Sequence, residues 1–396
     1  MPENASDKIT INFVATLSPF LLLSRAAERT LPPPLDRQNV ALTFSARHAI
    51  WNALKALKLA PDENILMPSY CCGSEVLPLR NYPAASKVYR VRKTMEIDVD
   101  HLLRTIDSKT RAVFVIHYIG FPQKLEEVLK ICRERGLYLI EDCAHALYSR
   151  SDGRWLGTLG DIGIFSMRKT IPLPDGGAIL INNPSIRLDE RLVRPPIDAY
   201  FGKAKHLVSM FLRSKLAGWD FENLRFVKGT IERVKRYRKR YTGNLDFTMG
   251  RDSFDLATAD YTISPLTEAL LRRIDGEEVA RRRRANFQWL LDRLGDEPDF
   301  QPVWTTLPPG VCPMFFPVLV PDSSAYMKAM QANGIQAIPF WSDDEESLPR
   351  DVFEETYVLK RSVLAIPLHQ DIGSRQLGKI ADTARRVARA LGRESR

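Results

Sequence analysis

"LYLIEDCAHAL" (137–147) and "DIGIFSMRKTIPLPDGGAILI" (161–181) decide how this chain folds. Both contain short apolar runs rich in β-branched residues and bounded by turn residues, the pattern of buried strands. Glu141 and Asp142 stand where the first strand ends, and Lys169 stands between the second strand and the Gly176–Gly177 turn. With apolar runs on either side, Lys169 does not read as an ordinary solvated surface charge. Working outward, "NILMPSY" (64–70), "SKVYRVR" (86–92) and "RAVFVIHYIG" (111–120) read as further strands. "ARHAIWNALKAL" (46–57) and "KLEEVLKICRERG" (124–136) have helical spacing, the second stopped by Gly136. Strands alternating with helices predict a mainly parallel sheet covered on both faces. In such sheets ligands bind beyond the carboxyl ends of the strands, which is where Asp142 and Lys169 fall.

Past residue 250 the pattern changes. A long amphipathic stretch (264–294) with a proline in its first turn opens a second unit, followed by the strands "MFFPVLV" (314–320) and "SVLAIPL" (362–368). Helical patterns at 323–334 and 375–391 complete it. The expected organisation is an N-terminal segment (1–40), a large domain (41–250) carrying a basic helical insertion at about 187–245, and a smaller α+β domain (251–396).

The 396 residues, 44% hydrophobic and 27% charged, are those of a globular protein with sizeable cores. No apolar run reaches the ~18 residues of a membrane span, and the polar start "MPENASDK" is not a signal sequence, so the cytoplasm is the expected location. Five scattered cysteines suit free thiols in a reducing compartment. The net charge is +9, and residues 187–240 hold fifteen Lys or Arg against six Asp or Glu, the whole excess. Its densest part is "RVKRYRKRY" (233–241). That segment reads as a solvated insertion, as a contact for an anionic substrate or anionic membrane surface, or, least favoured, as a nucleic-acid contact.

A carboxylate and an amine on neighbouring strand ends, with Ser166 and glycine-rich turns nearby, meet the needs of pyridoxal phosphate. The amine forms the Schiff base, the acid faces the ring nitrogen, and donors take the phosphate. His117, inside an apolar strand run, reads as structural. The adjacent Cys71 and Cys72, with Cys143, lack the ligand spacing of a metal site, and no metal is expected.

The series "EDCAHAL" (141–147), "GTLGDIGIFS" (157–166) and a lysine seven residues before "GG" resembles the DegT/DnrJ/EryC1/StrS sugar aminotransferases, a family of fold-type-I pyridoxal phosphate enzymes. "TFSARHAIWNAL" (43–54), "PSYCCGSEVLPL" (68–79), "HYIGFP" (117–122) and "VLAIPLHQDI" (363–372) extend the resemblance across about 41–387. It implies that Lys169 carries the cofactor and later moves the substrate proton, and that Asp142 pairs with the pyridinium nitrogen. His145 would lie beside the ring hydroxyl, and Ser166 with the backbone amides of Ala46 and Arg47 would bind the phosphate. It further implies a homodimer that transfers an amino group, from glutamate, to a nucleotide-linked keto sugar for polysaccharide or other glycoconjugate synthesis. A related dehydratase or lyase is the competing enzyme, and a non-catalytic binding protein docked on membranes through 187–240 the competing non-enzyme. Three features depart from the family: two residues are missing between Ser166 and Lys169, which displaces the expected Ser166 phosphate contact; Cys72 replaces its stacking aromatic, for which Tyr70 is a substitute; and its "GxNxR" segment is missing before "ISPLTEALLRRID" (263–275).

Overall fold

The computed structural model describes residues 10–18, 20–23, 30–188, 191–215, 254–342 and 348–394. Half of the basic stretch 187–240, including "RVKRYRKRY", lies outside the described residues; of its expected helical part, Ile197–Lys215 is a helix.

Apolar runs too short for a helix become strands because pairing satisfies their backbone while both faces are covered. In chain order they are β1 (Val40–Thr43), β2 (Asn64–Pro68), β3 (Ala85–Tyr89), β4 (Thr110–Ile116) and β5 (Tyr138–Cys143). A small hairpin of β6 (Arg150–Ser151) and β7 (Arg154–Trp155) precedes β8 (Ile162–Ser166) and β9 (Gly177–Ile181). Seven of these form one sheet in the order β1-β9-β8-β5-β4-β2-β3. The five strands from β8 to β3 run parallel, and β9 is antiparallel to both β8 and β1. The mainly parallel sheet expected from the strand–helix alternation is therefore present.

Helices Ala46–Leu57, Gly73–Arg80, Val99–Thr105 and Leu125–Arg135 make the connections. The last ends at Gly136, whose φ of 63° is the left-handed cap that glycine adopts without steric cost. Because the parallel strands share one direction, the carboxyl ends of β2, β4, β5 and β8 and the residues just after them gather along a single edge. Those residues include Tyr70, Cys72, His117, Asp142 and Ser166.

A second, antiparallel sheet follows in the order β10-β11-β13-β12, with β10 at Gln301–Pro302, β11 at Phe316–Leu319, β12 at Ile338–Pro339 and β13 at Val363–Ile366. It buries Phe316, Val318, Leu364 and Ile366 against helices Gly276–Leu294, Ser323–Ala332 and Ser374–Glu394. The amphipathic stretch 264–294 is two helices rather than one. Pro265–Leu271 ends at Arg272, and Asp275 caps the next helix by accepting the Glu278 N–H at 3.1 Å. Ile263, Leu270 and Leu271 pack with Phe165, Ala178 and Leu180 of the large sheet. All five cysteines are free thiols and buried. Among the described residues no helix is long and apolar enough to cross a membrane.

Candidate active site

Lys169 lies in the single helical turn Met167–Thr170 that opens where β8 ends. Its Nζ is 3.0 Å from His145 Nε2. A lysine nitrogen donates, so Nε2 accepts and the imidazole proton sits on Nδ1. That Nδ1 is buried without a partner among the described residues. Burial, and then the charge of Lys169, hold His145 well below the usual histidine range, so its ring is neutral.

Asp142 precedes this pair at the end of β5 and is 2% exposed. Its Oδ1 accepts the Ala144 N–H at 2.8 Å. Burial pushes its carboxyl up, against the pull of the Lys169 charge. A buried acid in that state gains from a cationic or donating partner.

The proposed phosphate groups converge on β9. Ser166 pairs directly with Gly177 across the β8–β9 ladder. A Cβ on Gly177 would stand 2.2 Å from the Ser45 carbonyl carbon and 2.6 Å from the Ala46 nitrogen. Only a glycine permits that approach, so Ser166 and the first turn of helix Ala46–Leu57, with Ala46 and Arg47, share one corner. The N-cap Ser45 makes no side-chain cap bond; its Oγ is 2.8 Å from His48 Nδ1. Amides at a helix N-terminus attract anions.

Glu141 is different. Its Oε2 lies 3.0 Å from His117 Nε2 and accepts the Gly157 N–H at 3.0 Å, while Oε1 accepts the Leu159 and Gly160 N–H groups, each at 2.6 Å. His117 Nδ1 accepts the Gln123 N–H at 3.0 Å, which leaves the Nε2 proton for Glu141. Burial raises the Glu141 carboxyl, but the His117 bond and the amides outweigh it and hold it below the usual range. His117, Glu141 and Cys143 come within 4.8 Å of one another, yet the imidazole and the carboxylate are already spent on hydrogen bonds. His117 is structural, as its apolar run suggested.

Several residues at the site escape a reading of the sequence. Phe340 and Trp341, just past β12, bring their rings to 5.6 and 5.3 Å from His145, and Phe315 reaches 6.2 Å. Trp341 has a φ of 52°, a left-handed backbone held against its bulk. Tyr70 is spent in this cluster: its hydroxyl donates to the Phe340 carbonyl at 2.8 Å and its ring meets Tyr118 and Trp341. Arg283, 2% exposed, donates to the carbonyls of Thr170, Pro313 and Met314 and to Gln370 Oε1. It clamps the lysine turn to two segments near the small sheet. Glu75, 4% exposed, lies one turn after Cys72 with an unpartnered Oε2. An acid in the first turn of a helix at a strand's carboxyl edge was the available signal for Glu75; no local signal marks Arg283.

Residues 25–198 match the DegT/DnrJ/EryC1/StrS aminotransferase family. Among curated relatives, GDP-perosamine synthase of Escherichia coli O157:H7 is 30% identical over 142 residues, 35% of this chain and 39% of that protein. The matched region thus spans about two fifths of that relative's length. Helicobacter pylori PseC, an aminotransferase involved in the biosynthesis of pseudoaminic acid, superposes with a TM-score of 0.68 at 15% identity, over 97% of this chain and all of that one (100%). The PLP-form of Spr1654, a putative sugar aminotransferase from Streptococcus pneumoniae, gives 0.67 at 14% identity over 96% and 99% of the two chains. The fold is therefore the fold-type-I architecture of these aminotransferases, and the similarity to the DegT/DnrJ/EryC1/StrS aminotransferase family extends over residues 25–198.

Proposed function

We propose that the protein is a pyridoxal phosphate-dependent aminotransferase that moves an amino group, from glutamate, onto a nucleotide-linked keto sugar. It works as a cytoplasmic homodimer in polysaccharide or other glycoconjugate synthesis. The observation that carries this reading is Lys169 Nζ, 3.0 Å from a neutral buried His145, with buried Asp142 at the same carboxyl edge of the parallel sheet.

The residues fit the cofactor on three independent counts. His145 Nδ1 is a buried donor with no partner among the described residues; Asp142 is a carboxyl that burial pushes up; Gly177 keeps open the corner shared by Ser166, Ala46 and Arg47. Bound pyridoxal phosphate supplies an electron sink for the carbanion formed when a substrate C–H bond breaks. Asp142 would hold the ring nitrogen in its protonated form, and His145 would donate to the ring hydroxyl. Ser166 and the Ala46 and Arg47 amides would hold the phosphate. Lys169 would anchor the aldehyde and, once displaced by the amino substrate, take the proton from the substrate carbon at Nζ and return it. Phe315, Phe340 and Trp341 exclude water from the His145 side.

The test starts from the reconstituted protein. Borohydride reduction and peptide mass spectrometry should place the cofactor on Lys169. The Lys169→Ala variant should hold the cofactor only non-covalently and lose all amino transfer. With ¹⁵N-labelled glutamate and a panel of nucleotide-linked keto sugars, the label should appear on a sugar. An adduct on another lysine refutes the site; label that never reaches any nucleotide sugar refutes the reaction.

A further inference from the structure

Lys169 stands on a turn that cannot hold itself. Met167–Thr170 is four residues long, and so short a helix leaves its last carbonyls without intrahelical donors and its nucleus unfavourable. Two bonds secure its start: the Met167 N–H donates to the Gly176 carbonyl at 3.1 Å, and the Ile171 N–H to the Met167 carbonyl at 3.0 Å. The Thr170 carbonyl at its end is taken from outside, by Arg283 Nη2 at 2.8 Å and by Gln370 Nε2 at 3.4 Å. The same guanidinium donates from Nη1 to the Met314 carbonyl at 2.6 Å and the Pro313 carbonyl at 3.3 Å, and from Nε to Gln370 Oε1 at 2.9 Å. The segment 312–315 leads in turn to the partner of the amine. Its Cys312 N–H donates to Ser149 Oγ and its Met314 N–H to the Ile119 carbonyl, each at 2.9 Å, and Phe315 sets its ring 6.2 Å from that of His145.

One side chain thus reaches both ends of the 3.0 Å contact between Lys169 Nζ and His145 Nε2. Arg283 is 2% exposed, and among the described residues its bonds go to uncharged oxygens alone. A cation buried without an anion is unfavourable, and a neutral side chain would tie any two of these segments. Only a planar fork of five donors reaches all three at fixed angles. We propose that Arg283 is a positioning residue for proton transfer at Lys169: it holds the lysine turn through the Thr170 carbonyl and the His145 side through the Pro313 and Met314 carbonyls, and so fixes the Nζ–Nε2 contact from both directions. Gln370 braces the fork at Nε and shares the Thr170 carbonyl. Arg283 bonds to neither Nζ nor the imidazole and acts through the backbone on either side of them.

This inference rests on Lys169 being the working amine, and the experiment separates the two. In the full-length reconstituted protein, Arg283→Met should slow the single turnover with glutamate on the order of a hundredfold, the penalty of a misplaced reacting group. The glutamate concentration giving half the maximal rate should stay where it is. Hydrogen exchange read by peptide mass spectrometry, with and without cofactor, should quicken in residues 167–171 and not in strand β4. Arg283→Lys keeps the charge and loses the fork, so it should behave like Arg283→Met; a wild-type rate in Arg283→Lys overturns the proposal. A purely structural role would lower the thermal midpoint and quicken exchange throughout while the folded fraction turned over normally, and that result also overturns it. If Arg283→Met does not fold, Gln370→Leu decides, since half-buried Gln370 leaves the guanidinium in place when it loses its amide. Its rate should fall about tenfold, and a wild-type rate there overturns the proposal. A borohydride adduct on another lysine refutes the Lys169 reading, whereas an adduct on Lys169 with wild-type rates in Arg283→Met refutes this inference alone.

Discussion

Glu141 and Asp142 are neighbours on β5 and point to opposite faces of it, as successive strand residues must. On the Glu141 side the carboxylate takes one imidazole and three backbone N–H groups. On the Asp142 side the carboxyl takes the Ala144 N–H, and the nearby His145 Nδ1 and Glu75 Oε2 take nothing from the described residues. Buried polar groups are ordinarily partnered because leaving one bare is costly. The partnered surroundings of Glu141 fit a structural frame, and the unspent groups near Asp142 fit the binding site proposed above.

Asp142→Asn is the sharpest way to break that comparison. It keeps the shape and removes the charge that would face a ring nitrogen. Turnover should fall on the order of a thousandfold, about 4 kcal/mol in barrier, while the denaturation midpoint hardly moves. Single-turnover absorbance with glutamate reads the first quantity, and circular dichroism in urea the second. Half-reaction rates near those of the wild type would move Asp142 to the structural side.

Glu141→Gln should do the reverse. Its amide can accept at one atom only and turns a donor toward other donors, so stability should fall by about 3 kcal/mol, read from urea midpoints. The pH dependence has a definite sign. The folded Glu141 carboxyl lies below its ordinary value of 4.5, so its contribution is complete above that value and is lost as pH falls through the folded one. The wild type should therefore lose stability in acid more steeply than Glu141→Gln. Parallel acid profiles would remove Glu141 from the frame.

Gly177→Ala probes the seam between frame and site. The new Cβ would press on the Ser45 carbonyl and Ala46 nitrogen, at a cost of about 1–3 kcal/mol. Cofactor dissociation measured by fluorescence should quicken at least as much as the urea midpoint drops. A stability loss with unchanged cofactor affinity would place the phosphate elsewhere.

Much of this was legible in the sequence because its signals are local. Runs such as "DIGIF" and "LYLI" announce buried strands, and the common direction of a parallel sheet brings their ends together; the placement of Asp142, Lys169 and Ser166 at that edge follows, while their roles came from the family resemblance. His145 was placed by family resemblance, and its contact with Lys169 agrees with that placement without testing its role. The rest depends on contacts between distant segments. Trp341 meets His145 across 196 residues of chain, and no periodicity in either segment predicts it. The break between Pro265–Leu271 and Gly276–Leu294 was hidden because apolar spacing continues across it, although Asp275–Gly276 is a capping signal. Glu75 was passed over because an acid on a short helix looks like an ordinary exposed charge until its burial is known.

Arg283 gives the molecule an order of assembly. Its guanidinium joins the Thr170 carbonyl, next to Lys169, to Pro313 and Met314, and its Nε donates to Gln370. A chain emerging from the ribosome completes the strands around Lys169 some 200 residues before it delivers Gln370, whose own amide also reaches Thr170. Until then the sheet can form, but the turn bearing the lysine lacks its clamp. Fragments ending before that point would hold the recognisable motifs without the clamp, so the turn bearing Lys169 is fixed only once the segment with Gln370 has been made.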